Sequence, residues 1–275
     1  MKISGHLRKM QVTHDSPVNY QLPLDDNLVA MNSLLGKQLK LTYMGDIHCI
    51  ACGRKTSKSY NQGYCYPCFR SLARCDMCIM KPETCHYHEG TCREPQWGEE
   101  QCFQDHVVYL ANSSALKVGI TRATQIPTRW IDQGASQALP LFRVNNRLIS
   151  GKLEVMIKST VSDRTDWRKM LKQDPPDVDL QTKAEQIIKQ ELEPLQSLID
   201  EFGDDAICRL DNAEVVNIEY PIVKYPEKVS SLNFDKTPEV TGLLEGIKGQ
   251  YLILDNGVLN IRKFAGYSVE VNAEG

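Results

Sequence analysis

The chain lacks any apolar run approaching the ~18 residues that a membrane-spanning helix needs. Its opening residues, MKISGHLRKM, lack the apolar centre of a secretory signal peptide. The expectation from these two absences is a cytoplasmic chain with no membrane partner. A strong overall charge is missing too: the net charge is −3 over 275 residues, so the chain as a whole carries no electrostatic mark of a nucleic-acid binder. Most of the sequence also lacks cysteine. Of ten cysteines, nine fall between Cys49 and Cys102, and Cys208 stands alone as an expected buried thiol. Disulfides are rare in the cytoplasm, so a cluster of this density points to metal.

What is present is ordinary for a globular protein: 41% hydrophobic and 24% charged residues, over a length that suits two or three compact units. The cysteines are arranged in pairs. CIACGRKTSKSYNQGYCYPC places Cys49, Cys52, Cys65 and Cys68 as Cys-x2-Cys, a twelve-residue spacer and Cys-x2-Cys. Each pair presents two thiolates to one ion, and two pairs complete a tetrahedral zinc site. Gly53 and Gly63 sit where the two knuckles turn. An iron–sulfur cluster also takes four thiolates, and spacing alone does not exclude it. Cys75 and Cys78 form a third pair, which needs two further ligands. Cys85 and Cys92 are the expected ones because they are close in sequence; His86, His88, Cys102 and His106 are the rivals. The expectation is two structural zinc ions, and a module this poor in apolar residues would draw much of its folding free energy from them.

The stretch from His106 to Ser159 is the most informative. Val107 to Leu110 and Leu116 to Ile120 read as two strands around the Asn112-Ser113-Ser114 turn. A helix starts after Pro127 and stops at Gly134. Ala138 to Val144 is a third apolar run. Leu148, Leu153, Val155 and Met156 follow at near-helical spacing, with Glu154 among them. Seven Lys and Arg against two Asp and Glu leave this segment with a charge of +5, an electrostatic footprint for phosphate. A solvated arginine surface would give the same count.

This order of elements resembles the GIY-YIG nuclease superfamily. Tyr109 matches the tyrosine that ends the family's first tripeptide. Lys117-Val118-Gly119 matches the second tripeptide, with lysine in place of tyrosine. Arg129 matches the helix-borne arginine, and Glu154 the metal-binding glutamate. The resemblance covers about a fifth of the chain. It implies a three-stranded sheet with helices and hydrolysis of nucleic-acid phosphodiesters. Glu154 would hold Mg2+ or Mn2+, Arg129 would clamp the phosphate, and Tyr109 would orient or deprotonate water. Lys117 would supply charge, or a base if burial or a neighbouring cation lowers its pKa. The whole chain is also similar to an uncharacterised bacterial family that pairs a Cys-rich segment with a run like KVGITR…RWIDQGA; this brings no activity with it.

The remainder reads as supporting structure. Candidate strands are His6–Val12, Val18–Leu22 and Gln38–Tyr43, with a turn at Asp25-Asp26-Asn27. Asp166–Lys172 reads as a short helix and Thr182–Phe202 as a longer one that Pro194 kinks or breaks. Val215–Tyr220, a hairpin around Asp255-Asn256-Gly257, and Gly266–Val271 read as strands. The expected fold is α+β: an N-terminal β region (1–46), a zinc-binding module (47–105), a GIY-YIG-like domain (106–160), an acidic helical segment (161–212) and a β-rich region (213–275). The two terminal β regions are candidates for one small barrel. The leading function is metal-dependent cleavage of nucleic acid, DNA or RNA. The alternatives are a non-catalytic zinc protein that binds nucleic acid through a degenerate domain, and a protein–protein adaptor.

Overall fold

The computed structural model describes residues 1–273, a mixed α+β chain with three antiparallel sheets. Its central strand is β1 (His106–Asn112), HVVYLAN, in which all seven residues are buried. Side chains alternate along a strand, so such a run has two faces to cover. Val107, Tyr109 and Ala111 enter one core with Trp130 and the terminal strands. Val108 and Leu110 enter a second core beneath helices.

The strand β2 (Leu116–Arg122) pairs with one side of β1, setting Gly119 opposite Tyr109 and Lys117 opposite Ala111. After Pro127 comes the short helix α1 (Thr128–Asp132), and Gly134 beyond it has φ +68°. The strand β3 (Gln137–Val144) pairs with the other side of β1. Asn146 then caps the helix α2 (Arg147–Ile157): its side chain accepts from the Ile149 N–H at 3.0 Å. The buried stripe of α2 is Ile149, Leu153 and Ile157, one helical turn apart, whereas Val155 is exposed. Ile207–Arg209 and Val216–Asn217 extend this sheet beyond β3, leaving β2 at its edge. The segment expected as a strand from Val215 to Tyr220 is thus a strand only over two residues. Cys208, expected to be buried, is exposed, because its strand is at the outer edge of the sheet.

Strands from the two ends of the chain share a second sheet. Its hydrogen-bonded order is Lys2–His6, Tyr267–Ala273, Gln38–His48, Glu239–Lys248, Tyr251–Leu254 and Gly257–Asn260, with Lys55–Thr56 paired beside Gln38–His48. The expected barrel does not close. The last strand runs into a 3-10 turn, Ile261–Phe264, before it can pair further. Gln11–Thr13, Asn19–Leu24 and Asn27–Ala30 form their own small sheet. Its residues Tyr20, Leu22 and Leu24 share one core with Leu39, Leu41, Val269 and Val271, so this sheet contributes to the core without closing the other one.

The helix expected at Thr182–Phe202 is two helices, Leu180–Gln190 and Leu192–Phe202. Pro194 lies in the first turn of the second, where its missing N–H costs no hydrogen bond. Among the described residues no helix is long and apolar enough to cross a membrane.

The helix α2 carries Gly151 where it meets the cysteine-rich segment. A Cβ there would lie 2.5 Å from the Glu83 nitrogen and 2.6 Å from the Pro82 Cβ. On propensity alone, alanine would stabilise a helix interior by about 1 kcal/mol over glycine. The close approach reverses the sign, because the obstacle includes backbone and overpacking costs about 1–3 kcal/mol. Gly151→Ala is therefore expected to lower the melting temperature by a few degrees in thermal denaturation. An increase would show that the two segments do not pack this closely.

Candidate active site and metal centre

The first four cysteines converge. The Sγ atoms of Cys49, Cys52, Cys65 and Cys68 all lie within 4.8 Å of one another. Backbone turns make this possible. The Gly53 N–H donates to the Cys49 carbonyl at 2.9 Å, and Gly53 takes φ +70°. Cys65 precedes the helix Tyr66–Ser71, which carries Cys68. Gly63, at φ +129°, packs so closely on Ile50 that a Cβ would come within 2.7 Å of that side chain. Four thiols so placed can hold a metal ion such as zinc.

The third pair does not stay together. Cys78, Cys85, Cys92 and Cys102 line one small cavity. Cys75 is buried outside it, with Asn61 and Cys49 among its neighbours. Three-residue 3-10 turns at Ala73–Cys75 and Met77–Ile79 separate the two thiols of the pair. His86 bonds Thr91 Oγ1 through Nδ1 at 2.7 Å, and His88 is exposed. His106 is fully buried; its Nδ1–H donates to the Gln104 carbonyl at 2.7 Å, and burial pulls it down to about 4.

A cavity of about 440 Å³ opens at the edge strand β2. Lys117 and Gly119 reach it from β2, Arg129 and Gln133 from α1 and the residue after it, and Arg147 and Glu154 from α2. Ile79, Met80 and Pro82 come from the cysteine-rich segment. Lys9 and Arg262 come from the terminal β regions. Of the four residues expected from the sequence to form the catalytic site, Lys117, Arg129 and Glu154 line this cavity. Tyr109 lies behind its wall: it is fully buried, packs edge-on to Trp130 at 5.7 Å, and donates its hydroxyl to Gln133 Oε1 at 2.8 Å. Gly119 leaves room for that hydroxyl, since a Cβ there would come within 2.7 Å of it.

Most of the cavity's cations are not paired off. Asp132 pairs with Lys9 and accepts a hydrogen bond from Gln250 at 2.9 Å, so it is not the partner of Arg129. Asp163 pairs with Lys158 at 2.6 Å. Lys117, Arg122, Arg129, Arg147 and Arg262 form no ion pair among the described residues, and neither does Glu154. Lys117 is 3% exposed. Burial and then the neighbouring Arg129 bring its ammonium down from 10.5 to about 8. Burial, and then Asp163, raise Glu154 to about 6. Burial pushes Tyr109 up to about 12, so its phenol keeps its proton at neutral pH. Five unpaired cations around one unpaired carboxylate make a site for an anion, and buried charges held at such a cost mark function more often than stability.

Sequence reasoning assigned no role to Arg147, Gln133, Lys9 or Arg262. Arg122 and Arg147 were visible as part of the +5 segment. Lys9 and Arg262 had no signal, because they are separated from Lys117 by more than a hundred residues and arrive through tertiary packing.

The buried Lys117 gives a test of this electrostatic cost. Its folded pKa lies below its ordinary value, so the penalty is full below pH 8 and is lifted as pH rises towards 10.5. At 1.36 kcal/mol per unit this is about 3 kcal/mol. Lys117→Met is expected to be more stable than the wild type at pH 7 in urea denaturation, with the gap narrowing above pH 9. A less stable variant at pH 7 would show that Lys117 is a structural residue.

No curated protein and no solved structure matches the chain. One family profile matches residues 36–269, covering the cysteine-rich segment, the cavity strands and most of the terminal sheet. The chain belongs to that family, described as a protein of unknown function, DUF2797.

Proposed function

We propose that the cavity at β2 binds and cleaves phosphodiesters of nucleic acid, with the assistance of a divalent cation. The observation that carries this reading is the convergence of buried, unpaired Lys117 and half-buried, unpaired Arg129 with unpaired Glu154 on one cavity. The GIY-YIG resemblance adds that these three residues occupy motif positions, and the four-cysteine cluster at Cys49 is read as a structural zinc site.

Glu154 fits a hard cation. It is the cavity's one unpaired carboxylate, and burial holds it where a positive neighbour would favour its charged form. One carboxylate with water and phosphate oxygens suits Mg2+ or Mn2+. Such an ion would supply positive charge at the phosphate and the leaving oxygen. Arg129 clamps the non-bridging oxygens with its planar fork. Lys117, near 8, is close enough to neutrality to accept a proton from the attacking water through Nζ. Tyr109 acts at one remove: its hydroxyl fixes Gln133, which faces the cavity. Arg122, Arg147 and Arg262 draw the rest of the polyanion toward the opening.

A second reading has its own observation. Tyr109 is buried with its proton held, and lysine stands where the resemblance places a second phenol. That is also the arrangement of a domain that binds nucleic acid without cutting it.

A labelled panel of DNA and RNA, incubated with Mg2+ or Mn2+, separates the two. Glu154→Ala is expected to lower cleavage about a hundredfold or more, as loss of a charge-stabilising group does, with binding changed only a few-fold. Arg129→Ala is expected to weaken binding roughly ten- to a hundredfold, the scale of a lost charged hydrogen bond, and cleavage with it. Lys117→Arg keeps a cation but cannot give up a proton, so it should bind and not cleave. No cleavage by the wild type, with binding that weakens as salt rises, would establish the second reading. Neither binding nor cleavage would overturn both and favour a protein–protein adaptor.

A further inference from the structure

Once the third cysteine pair is split, Cys78 has partners of another kind. Asp76, Cys78 and His86 each bring one ligand atom to within 4.8 Å of the other two. All three line one cavity of about 20 Å³, with Cys85, Cys92 and Cys102 among its other walls. That volume holds one water-sized occupant, the size of a single metal ion. Between residues 76 and 102 only Pro82 and Gly98 are buried. Small modules with so little apolar core are commonly held in shape by a metal.

The hydrogen bonds of His86 leave one ring nitrogen for an ion. Thr91 Oγ1 donates its one proton to the His86 carbonyl at 3.2 Å, so it accepts from the ring's Nδ1–H at 2.7 Å. A neutral ring held this way presents a bare Nε2. That nitrogen faces Asp76 Oδ2 at 3.7 Å, too far for a hydrogen bond. A lone pair and a carboxylate oxygen facing each other repel unless a cation lies between them. Metal–ligand bonds of about 2.0–2.3 Å in a tetrahedron set the ligand atoms about 3.3–3.8 Å apart. The spacing between Asp76 and His86 falls in that range.

The other bonds of the trio orient it without using it up. Arg93 Nε donates to Asp76 Oδ2 at 2.6 Å, and Arg93 Nη1 donates to the Phe69 and Leu72 carbonyls at 3.3 Å each. The carboxylate is thereby pinned, while its Oδ1 keeps only a long contact, 3.5 Å, with the Cys78 N–H. Hydrogen bonds to the far nitrogen of a histidine and to a carboxylate are what hold metal ligands in place. One nitrogen, one oxygen and one thiolate suit zinc, which takes all three donor types.

We propose that Asp76, Cys78 and His86 hold a zinc ion through a carboxylate oxygen, Sγ and Nε2, with its fourth coordination position open to the small cavity. This ion is separate from the one read at Cys49, Cys52, Cys65 and Cys68. Its ligands also differ from the expected set of Cys75, Cys78, Cys85 and Cys92: Cys75 does not line the cavity, and an aspartate and a histidine replace thiolates. The site stands apart from the phosphodiester reading. It fixes the turn Met77–Ile79, from which Ile79 and the following Met80 wall the cation-rich cavity.

The test is zinc analysis of the full chain after dialysis against zinc-free buffer, with the fold of each variant checked by circular dichroism. The wild type is expected to carry about two zinc ions per chain, and Asp76→Asn, Cys78→Ser and His86→Gln about one each. Cys75→Ser, Cys85→Ser, Cys92→Ser and Cys102→Ser should keep the wild-type content. A second ion lost from the last three variants but kept by Asp76→Asn would overturn the proposal in favour of a thiolate site. A single wild-type zinc that survives Cys78→Ser would overturn it as well. Should the variants fail to fold, X-ray absorption at the zinc edge of the wild type decides the question. About 2.5 sulfurs per zinc, with nitrogen and oxygen beside them, is the expected shell. An average of about three or more sulfurs per zinc would overturn the assignment.

Discussion

The strand His106–Asn112 is buried on both faces, and the rest of the molecule follows from covering it. An apolar strand with two dry faces needs two cores. One face takes Tyr109 against Trp130 and the terminal sheets; the other takes Val108 and Leu110 against the helices. Its neighbour Leu116–Arg122 is an edge strand, with no further strand paired on its outer side. An open edge in a protein of this kind is either blunted or used. Here it forms the floor of a cavity whose walls come from the cysteine-rich segment, the helix Arg147–Ile157 and both ends of the chain.

That origin explains the electrostatics. No single element carries all the cations. Lys117 and Arg122 belong to the edge strand, Arg129 and Arg147 to two helices, and Lys9 and Arg262 to the terminal regions. Each element tolerates its own charge when solvated. Packed together, the charges desolvate and repel, which lowers Lys117 and raises the value of any anion that enters. Glu154 and Lys117 have shifted toward one another, to about 6 and about 8. A carboxylate and an amine poised on either side of neutrality form a pattern suited to proton transfer and cation binding.

The cysteine-rich segment supports this cavity with little apolar core. Its thiols divide into two groups, not by the order of the pairs in sequence but by the 3-10 turns that redirect the chain between Cys75 and Cys78. Gly151 lets the helix of Glu154 approach the backbone at Pro82 and Glu83. The carboxylate is therefore positioned partly by a contact with a segment that has little apolar core of its own.

The sequence by itself determined the local features. Cys-x2-Cys repeated across twelve residues announced the Cys49 cluster, because the knuckle is closed by nearby turns. Apolar runs and turn residues marked the three central strands, and Pro127 and Gly134 marked the ends of the first helix; the Asn146 cap of the second became visible only in the structure. Pro194 correctly warned of a break, although the chain divides at Glu191 and leaves the proline in the first turn of the next helix. Tertiary structure decided everything that depends on partners far along the chain. The terminal strands share a sheet but stop short of a barrel, since closure depends on where the last strand's chain departs. Cys208 is exposed because its strand lies at an edge. Tyr109 and Lys117 lie on one face of the sheet, yet the tyrosine is sealed beneath Gln133 and the lysine opens to the cavity. A sequence fixes which residue a strand presents to each face; only packing fixes what that face meets.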